Sequence, residues 1–420
     1  MFPLLFLPAL AAAAPAARQA QKPAIMPLSY KYGGYPKVST DLVYGTPGQT
    51  PIETVVDTGS ADFWASAVYG PNGKINSGSP YLFGTGPCTE DVTPFFNYPG
   101  SSTSTDLRES PAAYAYGGNG KIIQAPRSVN DTISFTNAAY PPLLNQQVQL
   151  ANYSVIRSSA TTCNGMAYER SILGLSANTN TTRGPSFRGD LLATGRIESP
   201  TLSMWFDAPP ANVTGEFHGT ALFGALPDAS KHTGPLVKVG LNMPEGGGVG
   251  YWVDVPAFSY GGKPFAVDTQ TTPRCLIDSG FGTENIPLAA DDFHAATGTV
   301  DSHGYPAWPG PCESIPKDKT LDYTFTGADG AEVTVKVPLR SYARGINDYY
   351  NETNVCALSF TLDTSGMCAV GAPFFTSAFL AFNDDKAEVG IAQGGVSSGA
   401  EKGVDGLGEV TVVKRGAGLP

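Results

Sequence analysis

The feature that most constrains this chain is a short acidic motif that occurs once in each half. Two valines precede the first copy, Asp57-Thr58-Gly59, and two aliphatic residues precede the second, Asp278-Ser279-Gly280. Paired aliphatic residues predict a strand buried on both faces, and the glycine permits a sharp turn at its end. An aspartate is costly to bury there unless it has a role. Because the motif is repeated, we expect a pair of functional acids rather than two unrelated strand ends.

A second repeated pattern indicates an internal duplication. Ile172-Leu173-Gly174 follows the first acid, and Ala369-Val370-Gly371 follows the second in the same order. Two ordered matches at comparable spacing favour duplication over chance. The sequence therefore predicts a pseudo-twofold protein in which one acid from each half meets at the axis. We expect the halves to join between Phe206 and Gly219.

Length and composition favour a two-lobed, all-β protein. The chain of 420 residues exceeds the usual size of a single core. It holds 49 glycines and 35 prolines, which bound many short aliphatic or alternating runs. The net charge of −11 argues against nucleic acid or an anionic membrane as a partner.

Several features predict secretion. Residues 1–20 contain a short apolar run that ends in small residues, as a signal peptide does, and no stretch is long enough to span a membrane. The six cysteines are an even count, compatible with three disulfides in an oxidising compartment. The chain also has five acceptor sequons for N-glycosylation, at Asn130, Asn152, Asn180, Asn212 and Asn351. We expect a secreted, monomeric glycoprotein.

Neither a metal nor a cofactor is expected. The sequence has no C-x-x-C pair, and its four histidines are not clustered. The run Gly395-Val396-Ser397-Ser398-Gly399 fits the G-x-S-x-G pattern of serine hydrolases, but it lies in a Gly/Ser-rich tail without the strand-turn-helix context. We attribute this match to composition.

Two carboxyl groups at a symmetric interface have a specific chemistry. Like charges close together cannot both ionise readily, so the pair keeps one proton over a wide pH range. One acid then takes a proton from a shared water as the water attacks a carbonyl, while the other hydrogen-bonds the developing oxyanion. Neither a covalent intermediate nor a metal is required.

With these motifs in this order, the chain resembles the pepsin-like aspartic endopeptidases over residues 30–393. The segments that carry the resemblance are 45–49, 57–64, 116–120, 172–175, 222–224, 371–375 and 389–392. The resemblance implies an all-β, bilobal acid-protease fold with a peptide-binding cleft between two pseudo-symmetric lobes. We expect a signal peptide at 1–20, a short pro-segment or linker at 21–29, lobes at 30–207 and 208–393, and a flexible tail at 394–420.

The resemblance also implies roles for individual residues. Asp57 and Asp278 would be the catalytic dyad, and Thr58 and Ser279 would cross-brace the loops beneath it. The remaining residues expected to support the dyad are Gly59, Ser60 and Gly280. Tyr116 and Gly117 would lie on a flap over the substrate, with Trp64 beside the tyrosine. Tyr114 is the alternative flap tyrosine if the register differs by two residues.

The family commonly has a disulfide where Cys312 and Cys356 lie, so we expect that pair. Cys275 and Cys368 each stand three residues before a matching landmark, Asp278 and Gly371. Their strands should be neighbours, which would pair these two cysteines and leave Cys88 with Cys163.

The chain departs from the family pattern after the second acid. Phe281 occupies a position where the family usually has Thr or Ser bonding the catalytic carboxylate, and Thr283 is a possible substitute donor. Ala372 replaces a usual acidic residue after the late glycine. We expect an acid endopeptidase that cleaves between apolar or aromatic residues. The alternatives are a catalytically weakened binding protein that uses the cleft and, more remotely, a hydrolase with a serine or thiol nucleophile.

Overall fold

The structure is a computed structural model of the chain. It describes residues 23–31, 37–67, 81–82, 86–87, 94–117, 122–156, 170–177, 186–210, 216–243, 249–344, 348–349, 352–364 and 367–420. Several predictions lie outside these residues: the signal peptide, the flap tip at 118–120, the pair Cys88 and Cys163, and the sequons at Asn180, Asn212 and Asn351.

Strands dominate the part of the chain that the structure describes. In the first half the strands are β1 (Ala24–Lys31), β2 (Val38–Tyr44), β3 (Ile52–Asp57), β4 (Phe63–Ser66), β5 (Tyr81–Leu82), β6 (Gly86–Pro87), β7 (Thr105–Ala115), β8 (Ile122–Phe135), β9 (Leu143–Ala151), β10 (Tyr153–Ile156), β11 (Ser171–Gly174), β12 (Leu202–Phe206), β13 (Glu216–Phe223) and β14 (Ala225–Leu226). Further along the chain they are β15 (Thr233–Gly240), β16 (Tyr251–Asp254), β17 (Ala257–Tyr260), β18 (Lys263–Pro264), β19 (Arg274–Ile277), β20 (Glu284–Ile286), β21 (Val300–Ser302), β22 (Tyr305–Trp308), β23 (Thr320–Thr326), β24 (Glu332–Pro338), β25 (Asp348–Tyr349), β26 (Glu352–Thr353), β27 (Cys356–Ala357), β28 (Phe360–Leu362), β29 (Cys368–Val370), β30 (Ala378–Asn383), β31 (Glu388–Gln393) and β32 (Thr411–Val412).

The helices are short. The α-helices are α1 (Phe187–Ala193), α2 (Ala290–Thr297) and α3 (Ala372–Phe375). The 3₁₀ helices are Tyr98–Gly100, Ala229–Lys231, Cys312–Ser314, Leu339–Tyr342, Asp384–Lys386 and Ala400–Gly406. Among the described residues, no helix has the length and apolar character needed to cross a membrane. The same residues contain no group of three or more His, Cys, Asp or Glu side chains that could hold a metal ion.

Each half contains the same strand arrangement around its acid. In the first half, β11 lies parallel to β3, with Leu173 opposite Val56. In the second half, β29 lies parallel to β19, with Val370 opposite Ile277. β3 and β19, which lead to the two acids, therefore lie directly beside β11 and β29. The repeated motifs in the sequence correspond to a repeated sheet, and the fold is the expected mostly-β, bilobal pepsin-like fold.

One continuous sheet connects the two halves. β12 pairs antiparallel with β13 on one side and with β30, from the end of the second half, on the other. β31 follows β30 in the same sheet. β12 and β30 are buried along their whole length, and their runs are largely apolar. Strands of both halves therefore belong to one hydrogen-bonded sheet.

Two disulfides lie in the buried interior of the second half. Cys275 is bonded to Cys368, and Cys312 is bonded to Cys356. The first bond joins two directly paired residues of β19 and β29. Both bonds match the pairings expected from the sequence.

The structure differs from the sequence-based expectation at both ends of the fold. Residues within the expected linker at 21–29 form β1, which pairs with β13 along its whole length. The expected flexible tail packs onto the protein, with Leu407, Val413 and Leu419 buried and β32 paired with β14. The prediction of a flexible tail was wrong because the buried apolar residues of the tail are widely spaced among glycines and give no periodic pattern.

Candidate active site

The two acids stand at the ends of equivalent strands. Asp57 is the last residue of β3, and Asp278 directly follows β19. The amide of Leu175 donates to the Asp57 carbonyl at 2.7 Å, and the amide of Asp278 donates to the Val370 carbonyl at 3.0 Å. The backbone of each acid is thereby fixed to its neighbouring parallel strand.

Two hydroxyl side chains lock the acidic loops together. Thr58 Oγ1 donates to the Ile277 carbonyl at 2.9 Å, and Ser279 Oγ donates to the Val56 carbonyl at 2.6 Å. The same hydroxyls accept from the opposite backbone amides, from Ser279 N at 3.0 Å and from Thr58 N at 3.1 Å. Both side chains are fully buried. These four reciprocal, buried hydrogen bonds fix the position of one loop relative to the other.

The motif glycines are needed because each carboxyl group approaches the opposite loop. A Cβ atom added to Gly59 would lie 2.3 Å from Asp278 Oδ2, and one added to Gly280 would lie 2.6 Å from Asp57 Oδ1. Real Cβ atoms do not come so close, so neither position has space for a side chain. The two glycines therefore allow the acids to meet.

Asp57 has a full set of hydrogen-bond donors. The Gly59 amide donates to Oδ1 at 2.8 Å, and Ser60 Oγ donates to Oδ2 at 2.5 Å. Asp57 itself is only 6% exposed. Each of its carboxyl oxygens thus accepts a hydrogen bond from the loop that follows it.

Asp278 lacks a hydroxyl donor. The Gly280 amide donates to Oδ1 at 2.8 Å, and the Gly59 amide also donates to the carboxyl group. Among the described residues no hydroxyl, including that of Thr283, donates to it. Burial, and secondly the negative charge of Asp57, raise the pKa of Asp278 well above its usual range. Phe281 occupies the position of the missing hydroxyl, and its backbone is held by Ala372 N, 2.9 Å from the Phe281 carbonyl. The single proton of the pair is therefore favoured on Asp278.

The candidate flap is the hairpin formed by β7 and β8. Tyr116 directly follows β7, and Trp64 Nε1 donates to its hydroxyl at 2.7 Å. Burial, and secondly the charge of Asp57, raise the pKa of Tyr116 well above its ordinary value. The adjacent Gly117 is exposed with open space around it. The tyrosine is thus placed between the tryptophan and the dyad.

The alternative tyrosine, Tyr114, has a different environment. Its ring packs in an apolar cluster with Val55, Trp64 and Ile172, and the residue is 5% exposed. Its buried hydroxyl has no hydrogen-bond partner in the described part of the chain. The geometry favours Tyr116 as the flap tyrosine.

Of the predicted glycosylation sites, Asn130 and Asn152 lie within the described residues. The Asn130 amide donates to Asp106 at 3.4 Å and to Asn145 at 3.3 Å. Asn152 lies between β9 and β10, where its backbone amide donates to the Gln124 carbonyl at 3.0 Å. The Asn130 side chain is therefore held by two polar neighbours.

Sequence reasoning missed one buried acid near the site, Glu284. It lies six residues after Asp278 at the start of β20 and is fully buried. A charged residue beside Ile286 and Leu288, in an apolar stretch, was the available signal, because such a residue is rarely buried without a partner.

Comparison with known proteins agrees with this geometry. The family model described as "Eukaryotic aspartyl protease" matches residues 38–394. The chain is 25% identical over 373 residues to "Barrierpepsin" of Saccharomyces cerevisiae, which covers 84% of this chain and 60% of that protein. It is also 25% identical over 369 residues to "Acid protease" of Saccharomycopsis fibuligera, covering 84% of this chain and 80% of that protein. The chain thus spans less than two thirds of the length of barrierpepsin. Since the family match extends over most of the sequence, the chain belongs to the eukaryotic aspartyl protease family.

Proposed function

We propose that the protein is a secreted aspartic endopeptidase that hydrolyses peptide bonds at acid pH, with Asp57 and Asp278 as its catalytic pair. The observation that carries the proposal is the pair of acidic loops locked by reciprocal Thr58 and Ser279 hydrogen bonds. Such a rigid pair of acids can act on one water molecule without reorganising. The six cysteines and the apolar N-terminal run support secretion.

The asymmetry of the pair supports a division of roles. Asp57, held by Gly59 and Ser60, takes a proton from a water that attacks the peptide carbonyl. Asp278 hydrogen-bonds and protonates the carbonyl oxygen as the tetrahedral intermediate forms. Asp57 then gives the proton it took to the nitrogen, and a hydroxyl of the intermediate returns its proton to Asp278 as the C–N bond breaks. The new carboxyl group and amine leave. Tyr116 on the flap covers the substrate and restricts the entry of bulk water.

Proteolysis of a denatured protein substrate tests this function. Activity is expected to be highest in acid over a series from about pH 2 to pH 7, and to be suppressed by a hydroxyl-bearing peptide that mimics the tetrahedral intermediate. Asp57→Asn and Asp278→Asn should each lower kcat by at least about 100-fold. The proposal fails if the wild-type chain shows no inhibitor-sensitive cleavage at any pH and Asp57→Asn changes nothing.

A second candidate function follows from the missing hydroxyl at Phe281. Because Asp278 lacks that donor, a weakened relative that uses the cleft to bind peptides is the alternative. Saturable binding of the inhibitor without any cleavage would favour this alternative. The more remote serine hydrolase has little support, since Ser397 Oγ donates to Asp207 at 3.0 Å. Inhibition by serine- or thiol-reactive reagents would revive that class.

A further inference from the structure

Glu284 is a buried acid that the proposed reaction does not use. It is 0% exposed and begins β20, directly after the loop that contains Phe281 and Thr283. An acid in the interior needs hydrogen bonds or a neutral state, because an unpaired buried charge is very costly. The hydrogen-bond partners of Glu284 therefore indicate its structural role.

The carboxyl group connects three separate segments. Its Oε1 accepts from the Phe374 amide at 2.8 Å. Its Oε2 meets the Tyr323 hydroxyl of β23 and, at 3.5 Å, the Tyr342 hydroxyl of the 3₁₀ helix Leu339–Tyr342. The two tyrosine hydroxyls are 2.7 Å apart. The acid is thus the centre of a closed polar network in an apolar core.

The segments that Glu284 joins also hold the second catalytic acid. The Asp278 amide donates to the Val370 carbonyl at 3.0 Å, and the Ala372 amide donates to the Phe281 carbonyl at 2.9 Å. A Cβ atom added to Gly371 would lie 2.2 Å from the Thr283 carbonyl oxygen, so the two chains are in close contact. The link from Glu284 to Phe374 lies directly beside this contact.

No cationic side chain of the described residues lies against the carboxyl group. Among the described residues, the groups that face it are the hydroxyls of Tyr323 and Tyr342 and the backbone amides of Phe374 and Gly371. Burial raises the pKa of Glu284 to about 8, although those hydrogen bonds oppose the shift. The side chain is therefore neutral throughout the acid range.

We infer that Glu284 is a positioning residue for the Asp278 half of the active site, because its hydrogen-bonded carboxyl group fastens the loop after Asp278 to the segment beginning at Gly371. This inference rests on the proposed peptidase function. In the absence of a hydroxyl at position 281, the loop depends on such backbone anchors. Ionisation of Glu284 places a charge in the core and loosens the anchor.

The pH dependence has a definite sign. In the unfolded chain the acid ionises near its ordinary value, about 4.3. In the folded chain it keeps its proton to about pH 8. The folded state therefore binds more protons between these values, and its contribution to stability falls as the pH rises through this range.

Two variants of the full chain test the role. Glu284→Gln cannot ionise, but it can accept from Phe374 N and donate to Tyr323, so we expect kcat at acid pH within about threefold of wild type. Glu284→Leu leaves the amide and hydroxyls unpaired, and we expect kcat to fall at least about tenfold with KM within about twofold. Should the leucine variant not fold, Tyr323→Phe, which removes one hydroxyl partner, should show a smaller loss of kcat.

A second measurement follows alkaline inactivation. Protein incubated at pH values from about 5 to 9 and then assayed in acid should lose activity near pH 8 in the wild type and at higher pH in Glu284→Gln. Unchanged kcat in Glu284→Leu overturns the positioning role, and parallel inactivation of wild type and Glu284→Gln overturns the neutral carboxyl. If the wild-type chain cleaves nothing, both the proposed function and the positioning role are wrong. If the wild type cleaves substrate but the variants do not behave as expected, only the inference about Glu284 is wrong.

Discussion

The two acids of the proposed catalytic pair differ in the side chain three positions after each of them. Ser60 follows Asp57 and donates a hydrogen bond to its carboxylate. Phe281 follows Asp278 and has no hydroxyl to donate. Since a hydrogen bond to the charged form lowers an acid's pKa, its absence leaves Asp278 with the raised pKa that burial and Asp57 impose. One aromatic residue therefore accounts for much of the dyad's asymmetry.

Phe281→Thr should restore that hydrogen bond and lower the pKa of Asp278. Loss of the shared proton limits activity on the alkaline side, so the alkaline limb of the kcat profile should move down by about one pH unit. The measurement is kcat against pH on a peptide substrate. Phe281→Leu is the matched control, because it changes the ring without adding a donor. A shift of equal size in both variants would show that the hydroxyl is not the cause.

The hairpin β7–β8 has two tyrosines on its buried side. Of these two, Tyr116 is hydrogen-bonded to Trp64. Tyr116 accepts from Trp64, whereas the hydroxyl of Tyr114 is buried without a partner in the described region. The pair therefore offers an internal comparison, since the two residues are identical and two positions apart.

Tyr116→Phe should lower kcat/KM about tenfold, because it removes a hydrogen bond of roughly 1.4 kcal/mol and leaves the Trp64 N–H unpaired. Tyr114→Phe should leave kcat/KM within about twofold and stability unchanged or raised, since its hydroxyl gains nothing from burial. Steady-state kinetics and thermal unfolding of both variants make the comparison. Equal losses in the two variants would argue against Tyr116 as the flap residue.

The middle of the same hairpin lies beside the Asn152 sequon. Asn152 lines a cavity of about 480 Å³ together with Pro111, Ala112 and Pro126. If the chain is secreted, we expect a glycan on Asn152 and little or none on Asn130, whose amide group is bonded to Asp106 and Asn145. Trypsin leaves both asparagines on one peptide, residues 128–157, so a second digestion with chymotrypsin is used to separate them. Mass spectrometry of the resulting peptides, before and after removal of N-glycans, gives the occupancy of each site. Higher occupancy at Asn130 would contradict this expectation.

At the level of the whole molecule, a buried ion pair joins the two halves. Arg188 of α1 is bonded to Asp384 at 2.6 Å, and their side chains are 4% and 17% exposed. The guanidinium also donates to the Leu175 carbonyl at 2.7 Å and to the hydroxyl of Tyr251 in β16. One side chain thus connects the first half to two elements of the second.

Arg188→Met should lower the free energy of unfolding by about 3–5 kcal/mol, because it leaves the Asp384 charge without its partner in a buried setting. Denaturant unfolding at a fixed acid pH measures the change. Arg127→Met is the matched control: the Arg127–Glu109 pair is exposed, and no measurable change is expected. A loss at Arg188 no larger than that at Arg127 would show that the pair does not hold the halves together.

Much of the site could be predicted from local sequence. Asp57 and Asp278, with their hydroxyl and glycine neighbours, follow a strand-and-turn pattern that is complete within a few residues. Tertiary context was needed elsewhere: the choice between Tyr114 and Tyr116 depends on which hydroxyl reaches Trp64. The misjudged tail shows the same limit, because Leu419 is buried only through distant parts of the chain.

The sequence by itself determined the strands, their duplication and the two acids, because strand periodicity and turn chemistry act over a few residues. Only the tertiary structure decided that Trp64 is bonded to Tyr116, that the raised pKa falls on Asp278, and that Glu284 is buried against Tyr323, Tyr342 and Phe374. The physical reason is that desolvation and hydrogen bonding between segments far apart in sequence set the protonation of an acid, and neither is encoded in its neighbours along the chain.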